Sequence, residues 1–342
     1  MRIVIGLMAM TLAFSSGCAT HPTAEPRSAM PTPGTQAYQR AGDEIVVAGQ
    51  LFHTGTPVVL WMDPGGYDAY RVERRFVPYD QASWEASAEK LNWPNRYGLR
   101  RRDNWPAETL EQIRGGGWDL PLLQDVVDQF VIHYDASGTS RHCFNILHDH
   151  RGLSAHFLLD LDGTIYQTLD LKERAWHASV ANDRSVGIEI ANIGAYTPGR
   201  DEPLQRWYGT DETGQPYITI PEAHGDGGIR TPDFVGRPAR SEPIYGSING
   251  RDLKQYDLTP EQYEALIKLT AALWEIFPNM ADDVPRDDAG EMIFDRPLTA
   301  DELATFRGLL GHHHVTSGKV DPGPAFQWDH VLNEARKHHR DR

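Results

Sequence analysis

Three histidines stand in a row in GHHHV (residues 311–315), shortly ahead of Lys319, Asp321 and a Pro-Gly-Pro turn. Imidazole and carboxylate are the donors that zinc takes, and a catalytic zinc typically uses three protein ligands and keeps a fourth position for water. His133, closing the apolar run FVIH, is a further candidate of the same kind, and Glu189 in SVGIEI is a carboxylate on a strand. Taken singly, each residue has a plainer use. A strand histidine is commonly structural, a glutamate alternating with Val186, Ile188 and Ile190 is commonly a solvated outward side chain, and Lys319 is an ordinary loop lysine. Residue types alone leave open which histidine of the triplet would bind.

The elements that must position these groups follow from periodicity. FVIHYDAS reads as a buried strand ending in a turn. SAHFLLDLDGTIYQTLD reads as a hairpin turning at Asp162-Gly163, and SVGIEIANIG as another strand. LTPEQYEALIKLTAALWEIF predicts a helix, with Thr259 as cap, Pro260 at the first position and Gln262 completing a capping box. Tyr263, Leu266, Ile267, Thr270, Leu273, Trp274 and Phe277 share its apolar face. Thr299 and Glu302 open a shorter helix, and PAFQWDHVLNEARKHHR predicts a terminal one. Strands mixed with helices in this order predict an α/β domain with one central sheet.

The chain has 342 residues and a formal charge of −15, without the clustered Lys and Arg that nucleic acid requires. It opens with Arg2 and an apolar run, Ile3 to Phe14, too short to span a bilayer but suited to a signal peptide. The run ends at Ser15-Ser16-Gly17-Cys18, which resembles a bacterial lipobox. Residues 1–18 are therefore expected to be a lipoprotein signal, with Cys18 lipidated. Ala19, not aspartate, follows, so the expected location is the outer membrane, facing the periplasm. After Cys18 only Cys143 remains, so the soluble part has no internal disulfide to form. Residues 19–42 read as a flexible tether, 43–125 as an accessory segment and 126–338 as the main domain, with a long insertion at about 195–257.

Taken together, VIHYDAS, LSAHFLLDLDGTIYQ, RAWHAS, NDRSVGIEIAN, LTPEQYEAL, GHHHV and KVDPGPAFQW resemble the type-2 N-acetylmuramoyl-L-alanine amidases. This zinc amidase family shares its fold with peptidoglycan recognition proteins and the T7-type lysozyme. The resemblance runs over roughly residues 128 to 335, and several separated motifs in one order are more specific than any single motif. It implies a single mixed sheet flanked by helices, with His133, His312 and Asp321 as Zn2+ ligands, Glu189 and Lys319 as catalytic groups, and Trp176 and His177 beside the substrate. His314, on the same face as His312 in an extended segment, is the alternative ligand. His156 is expected to be structural, and His142, His148 and His150 solvated.

The implied chemistry is hydrolysis of the amide between N-acetylmuramic acid and L-alanine, on peptidoglycan or muropeptides. Zinc lowers the pKa of water to about 7. Glu189 would take the water's proton and pass it to the leaving amine, and Lys319 would help stabilise the oxyanion. A non-catalytic recognition module of the same fold is the alternative. It is disfavoured by the presence of all five residues. The expected partners are this substrate and, through Cys18, a membrane, with the protein itself a monomer.

Overall fold

The computed structural model describes residues 31–71, 96–100, 102 and 105–340. Its centre is a six-stranded sheet built from β1 (Val58–Leu60), β2 (Gln129–Tyr134), β3 (Phe157–Leu159), β4 (Ile165–Gln167), β5 (Ser185–Ile190) and β6 (Gly308–Gly311). The spatial order is β6-β2-β5-β3-β4-β1. β6, β2, β5 and β3 run parallel, the β3–β4 hairpin is antiparallel, and β1 pairs parallel with β4. The hairpin turns at the expected place, with Gly163 at φ +81°.

Alternation along the strands divides the sheet into two faces. Phe130, Ile132, Phe157, Leu159, Val186, Ile188, Ile190 and Leu309 point into the main core, against helices α1 (Pro260–Ile276) and α2 (Trp328–Arg340). The predicted face of α1 is buried there, and so are Ala265, Leu269, Ala272 and Ile276. Its capping box forms as expected, and the same side chains also brace the sheet. Thr259 Oγ1 donates to the Leu161 carbonyl (2.7 Å), and Gln262 Nε2 donates to the Ala191 carbonyl (2.8 Å), just past the end of β5. One short sequence thus starts the helix and fixes the strand that carries Glu189.

Two expectations change, and the insertion gains a description. The segment before residue 125 is not a separate lobe in its described part, because Val58–Leu60 is an edge strand of the central sheet and Ile45, Val47 and Phe52 belong to the main core. Alternation in EIVVAGQLFH and VVLW is too short to reveal pairing with a strand a hundred residues away. Chain order also begins earlier than residue 42, since Gln36–Ala37 pairs with Leu51–Phe52. The 195–257 insertion is structured: it holds the short helix Glu202–Trp207 and two hairpins, Tyr208–Thr210 with Pro216–Ile218 and Ile244–Ile248 with Arg251–Gln255. Residues 1–30, including Cys18, lie outside the described residues, and no described helix is long and apolar enough to cross a membrane.

Candidate active site

The second face of the sheet carries the candidate chemistry, at the carboxyl ends of three neighbouring parallel strands, where open α/β sheets place their ligands. His133 is the penultimate residue of β2 and Glu189 the penultimate residue of β5, and the two are direct register partners. β6 ends at Gly311, and His312 follows at once. Register partners share a face, so backbone pairing alone brings the imidazole and the carboxylate side by side.

Beyond Gly311 the chain does not continue extended. His312–Val315 forms one helical turn, which sends the three histidines in different directions. His312 Nδ1 lies 3.0 Å from His133 Nδ1 and 3.0 Å from Asp321 Oδ2, and His133 Nδ1 lies 2.9 Å from the same oxygen. His313 turns back, its backbone N–H and its Nδ1 both on the Asp321 carbonyl (3.2 and 3.1 Å). His314 accepts from the Gly311 N–H (2.9 Å) and donates from Nε2 to the Ile293 carbonyl (2.8 Å). Both nitrogens of His314 are therefore committed, and the idea that it shares a face with His312 fails because the backbone is helical there.

Two imidazole nitrogens and a carboxylate oxygen, each within 3.0 Å of the other two, form a donor triangle that fits a divalent cation. Ligands bonded to zinc at about 2.0–2.1 Å stand roughly 3.3 Å apart in a tetrahedron, so the observed edges are near that spacing. Two neutral imidazoles could each donate to Asp321 Oδ2, but the 3.0 Å approach of His133 Nδ1 to His312 Nδ1 would then set two N–H groups against each other, a contact that a shared cation would bridge. Burial pulls His133 down to about 4, and the neighbouring His312 pulls the same way, so its ring is neutral at physiological pH with a lone pair to give. Burial opposes ionisation of Asp321, but the two imidazoles outweigh it and hold its carboxyl far below the usual range.

His177 stands directly behind His133. The tautomer of His133 that leaves Nδ1 free donates from Nε2 to His177 Nδ1 (3.0 Å), and His177 Nε2 meets Ser185 Oγ (3.2 Å). Gly187 makes room for that ring: a Cβ there would lie 2.5 Å from His177 Nδ1. His177 thus orients a candidate ligand, and it also lines the cavity, beside the space where the resemblance puts the substrate. Trp176 lines the cavity. His156 is buried, accepting from the Gly187 N–H and donating to the Glu173 carbonyl, as a structural residue should. His148 differs from expectation, being buried and stacked on Phe144, because the turn Asn145–Arg151 packs that side inward.

The cavity over these groups has a volume of about 660 Å³ and is shared by His133, His177, Glu189, His312, Lys319 and Asp321. Burial raises Glu189 well above the usual carboxylate value. The Asp321 and Asp135 carboxylates add to the rise, while Lys319 and Arg151 offset it. A carboxyl raised in this way holds a proton more readily than a free glutamate, which suits an acid–base group.

Two residues that position this site escaped the sequence reading. Asn249, at the tip of the second insertion hairpin, donates from Nδ2 to the carbonyls of Lys319 (2.9 Å) and His313 (3.2 Å). Gln255, on the same hairpin, donates to the Pro322 carbonyl (3.1 Å) and accepts from the Ala325 N–H (3.0 Å). The insertion therefore clamps the loop that carries His312, Lys319 and Asp321. Asn249-Gly250 between YGSI and RDLK was the available signal, a two-residue hairpin turn.

Residues 123–324 match the family described as N-acetylmuramoyl-L-alanine amidase (Amidase_2). The chain belongs to this amidase family. No curated protein sequence matches it. Among solved structures it is similar to AmpD, in its selenomethionine form, at 17% identity and a TM-score of 0.35, over 79% of this chain and 98% of that one. It is also similar to the endolysin amidase LysCS of Clostridium intestinale URNW (16%, TM-score 0.33, 63% of this chain and 86% of that one). A third is AmiD of E. coli (18%, TM-score 0.34, 69% and 65%), solved with anhydro-N-acetylmuramic acid-L-Ala-D-γ-Glu-L-Lys. The mixed sheet flanked by helices is the architecture expected of this amidase family.

Proposed function

We propose that the protein is a zinc-dependent N-acetylmuramoyl-L-alanine amidase that hydrolyses the amide joining N-acetylmuramic acid to L-alanine in peptidoglycan or its fragments. The observation that carries this reading is the donor triangle of His133, His312 and Asp321 in one cavity with Glu189 and Lys319. His133, His312 and Asp321 would hold the ion, with His177 fixing the His133 ring from behind and Asn249 holding the backbone of His313, next to His312. When bound, zinc would supply Lewis-acid polarisation of the scissile carbonyl and a more acidic water.

The chain's own groups do the rest. Glu189 removes a proton from the attacking water and returns it to the leaving amine of L-alanine, a role suited to its raised pKa. Lys319 places a cation at the cavity wall where the carbonyl oxygen gains charge. His177 holds the His133 ring, and Asn249 holds the Lys319 backbone. The protein's place in this proposal is the outer membrane, facing the periplasm, through a lipid on Cys18. Incubating purified protein with a muropeptide of known structure tests the activity: free peptide beginning at L-alanine supports it, and cleavage at any other bond refutes it.

A further inference from the structure

The catalytic groups stand at the carboxyl ends of β2, β5 and β6, and the amino ends of the same three strands carry a different set. Asp128 precedes β2, Arg184 precedes β5 and Arg307 precedes β6. With Arg102 and Asp183 they line a cavity of about 720 Å³ that shares no lining residue with the catalytic one. Asp128 and His133 are separated by most of β2, about 17 Å at the rise of a strand.

Charge does not cancel in this second cavity. Arg184 grips both oxygens of Asp128 (2.9 and 2.7 Å), and its other donors go to the carbonyls of Leu303, Ala304 and Phe306. That arginine is fully committed, and it neutralises Asp128. Asp183 is taken by Arg174 (2.8 Å). Arg307 is exposed, with Nε 3.7 Å from Asp128 Oδ2, beyond hydrogen-bond reach. Arg102 donates to the Asp125 carbonyl, which bears no charge. Among the described residues, two guanidinium groups thus line one cavity with no carboxylate of their own, on a chain whose formal charge is −15.

We infer that this cavity binds a phosphate-class anion, at the edge of the sheet opposite the candidate active site. A tetrahedral dianion offers two charges and several acceptor oxygens to two planar donor forks, the arrangement guanidinium groups match best. The path of the chain bears on where that anion comes from. Helix α1 starts at the catalytic edge, tied to the Leu161 and Ala191 carbonyls. It ends at the opposite edge, where Gln124 Nε2 donates to the Ile276 carbonyl (2.7 Å). Gly34 abuts that last turn, since a Cβ on it would meet Glu275 and Ala272. The chain therefore enters beside Gln124 and Asp125, the neighbours of Arg102. Residues 19–30 separate Pro31 from Cys18, a reach of no more than about 45 Å. The lipid proposed for Cys18 would bring headgroup phosphates into that range, and free phosphate groups in solution are the other source of the same chemistry.

The test uses the chain from residue 19 onward, which keeps every described residue, with Arg102→Gln, Arg307→Gln and, as a charge control, Arg200→Gln on an exposed loop. Inorganic phosphate is titrated by calorimetry. Vesicles of phosphatidylcholine, alone or in equal parts with phosphatidylglycerol, are tested by co-sedimentation. The expected result is saturable binding of phosphate, of the anionic vesicles or of both, weakened about fivefold or more by each cavity variant and unchanged by Arg200→Gln. Binding of anionic vesicles without free phosphate assigns the site to a lipid headgroup, and binding of free phosphate alone assigns it to a soluble ligand. No binding in either arm overturns the site. Equal weakening by all three variants overturns it too, as the mark of bulk charge alone. Binding is read without turnover, so a failure of the amidase reading would leave this result standing on its own.

Discussion

Glu189 and His133 face each other as register partners on adjacent parallel strands, and both look into one cavity. The pairing is rigid, because the backs of both strands are packed in the main core and the end of β5 is tied to α1 through Gln262. A proton-transfer group and a candidate metal ligand are therefore held at a spacing set by backbone hydrogen bonds, not by side-chain flexibility. Glu189→Gln should leave metal content unchanged and lower kcat by about 10²–10⁴-fold, the usual worth of a positioned acid–base group. Metal analysis beside steady-state kinetics checks it, and a fully active variant would remove Glu189 from its role.

The histidine triplet separates binding from folding. His312→Ala should lose stoichiometric zinc. His314→Ala should keep zinc but lose stability, since the Ile293 carbonyl and Gly311 N–H lose their partner in a buried place, at about 1–3 kcal/mol for each unsatisfied group. Metal content and denaturant melts on the two variants decide between them, and the reverse outcome would move the ligand to His314.

Asn249 touches no donor atom of the triangle, yet it holds the backbone of Lys319 and of His313, next to His312. Asn249→Ala should weaken zinc by about 10–100-fold, as loss of a supporting hydrogen bond behind a ligand commonly does. Competition with a fluorescent chelator reads this directly, and an unchanged affinity would reduce the insertion hairpin to a packing role.

The sequence made the site legible to the extent that its residues lie at the ends of strongly patterned elements. His133, Glu189 and the α1 capping box could be placed because alternation and capping are local rules. The turn after Gly311 could not be, because three histidines in a row carry no period and the helical turn there is held by distant partners: the Ile293 carbonyl and the Asp321 backbone. Val58–Leu60 was unreadable as part of the central sheet for the same reason, since its partner strand lies a hundred residues onward. The clamp by Asn249 and Gln255 also depends on contacts some seventy residues apart in sequence, although the Asn-Gly turn that presents it is a local signal.

Acid stability should show the mark of Glu44. Burial opposes its ionisation, but the backbone N–H groups of Gly42 and Ala41 and the Arg40 guanidinium outweigh that and bring its carboxyl from 4.5 to about 2. A depressed folded-state pKa contributes stability that is fully present above about 4.5 and is lost as pH falls towards 2. Glu44→Gln should therefore cost about 1.5–3 kcal/mol at neutral pH, the range for hydrogen bonds to a charged group, with the difference shrinking between pH 4.5 and 2. Paired urea melts across that range measure it, and a pH-independent difference would contradict the assignment.

The central claim is that His133, His312 and Asp321 gather a zinc ion for amide hydrolysis. The most direct measurement takes residues 19–342, treats them with a defined muropeptide, and reads the products by mass spectrometry with chelator, without it, and after zinc is restored. Release of peptide beginning at L-alanine, abolished by chelator and recovered with zinc in the parent but not in Asp321→Ala, is the expected result. Release that persists in the chelated, metal-free protein would contradict the claim.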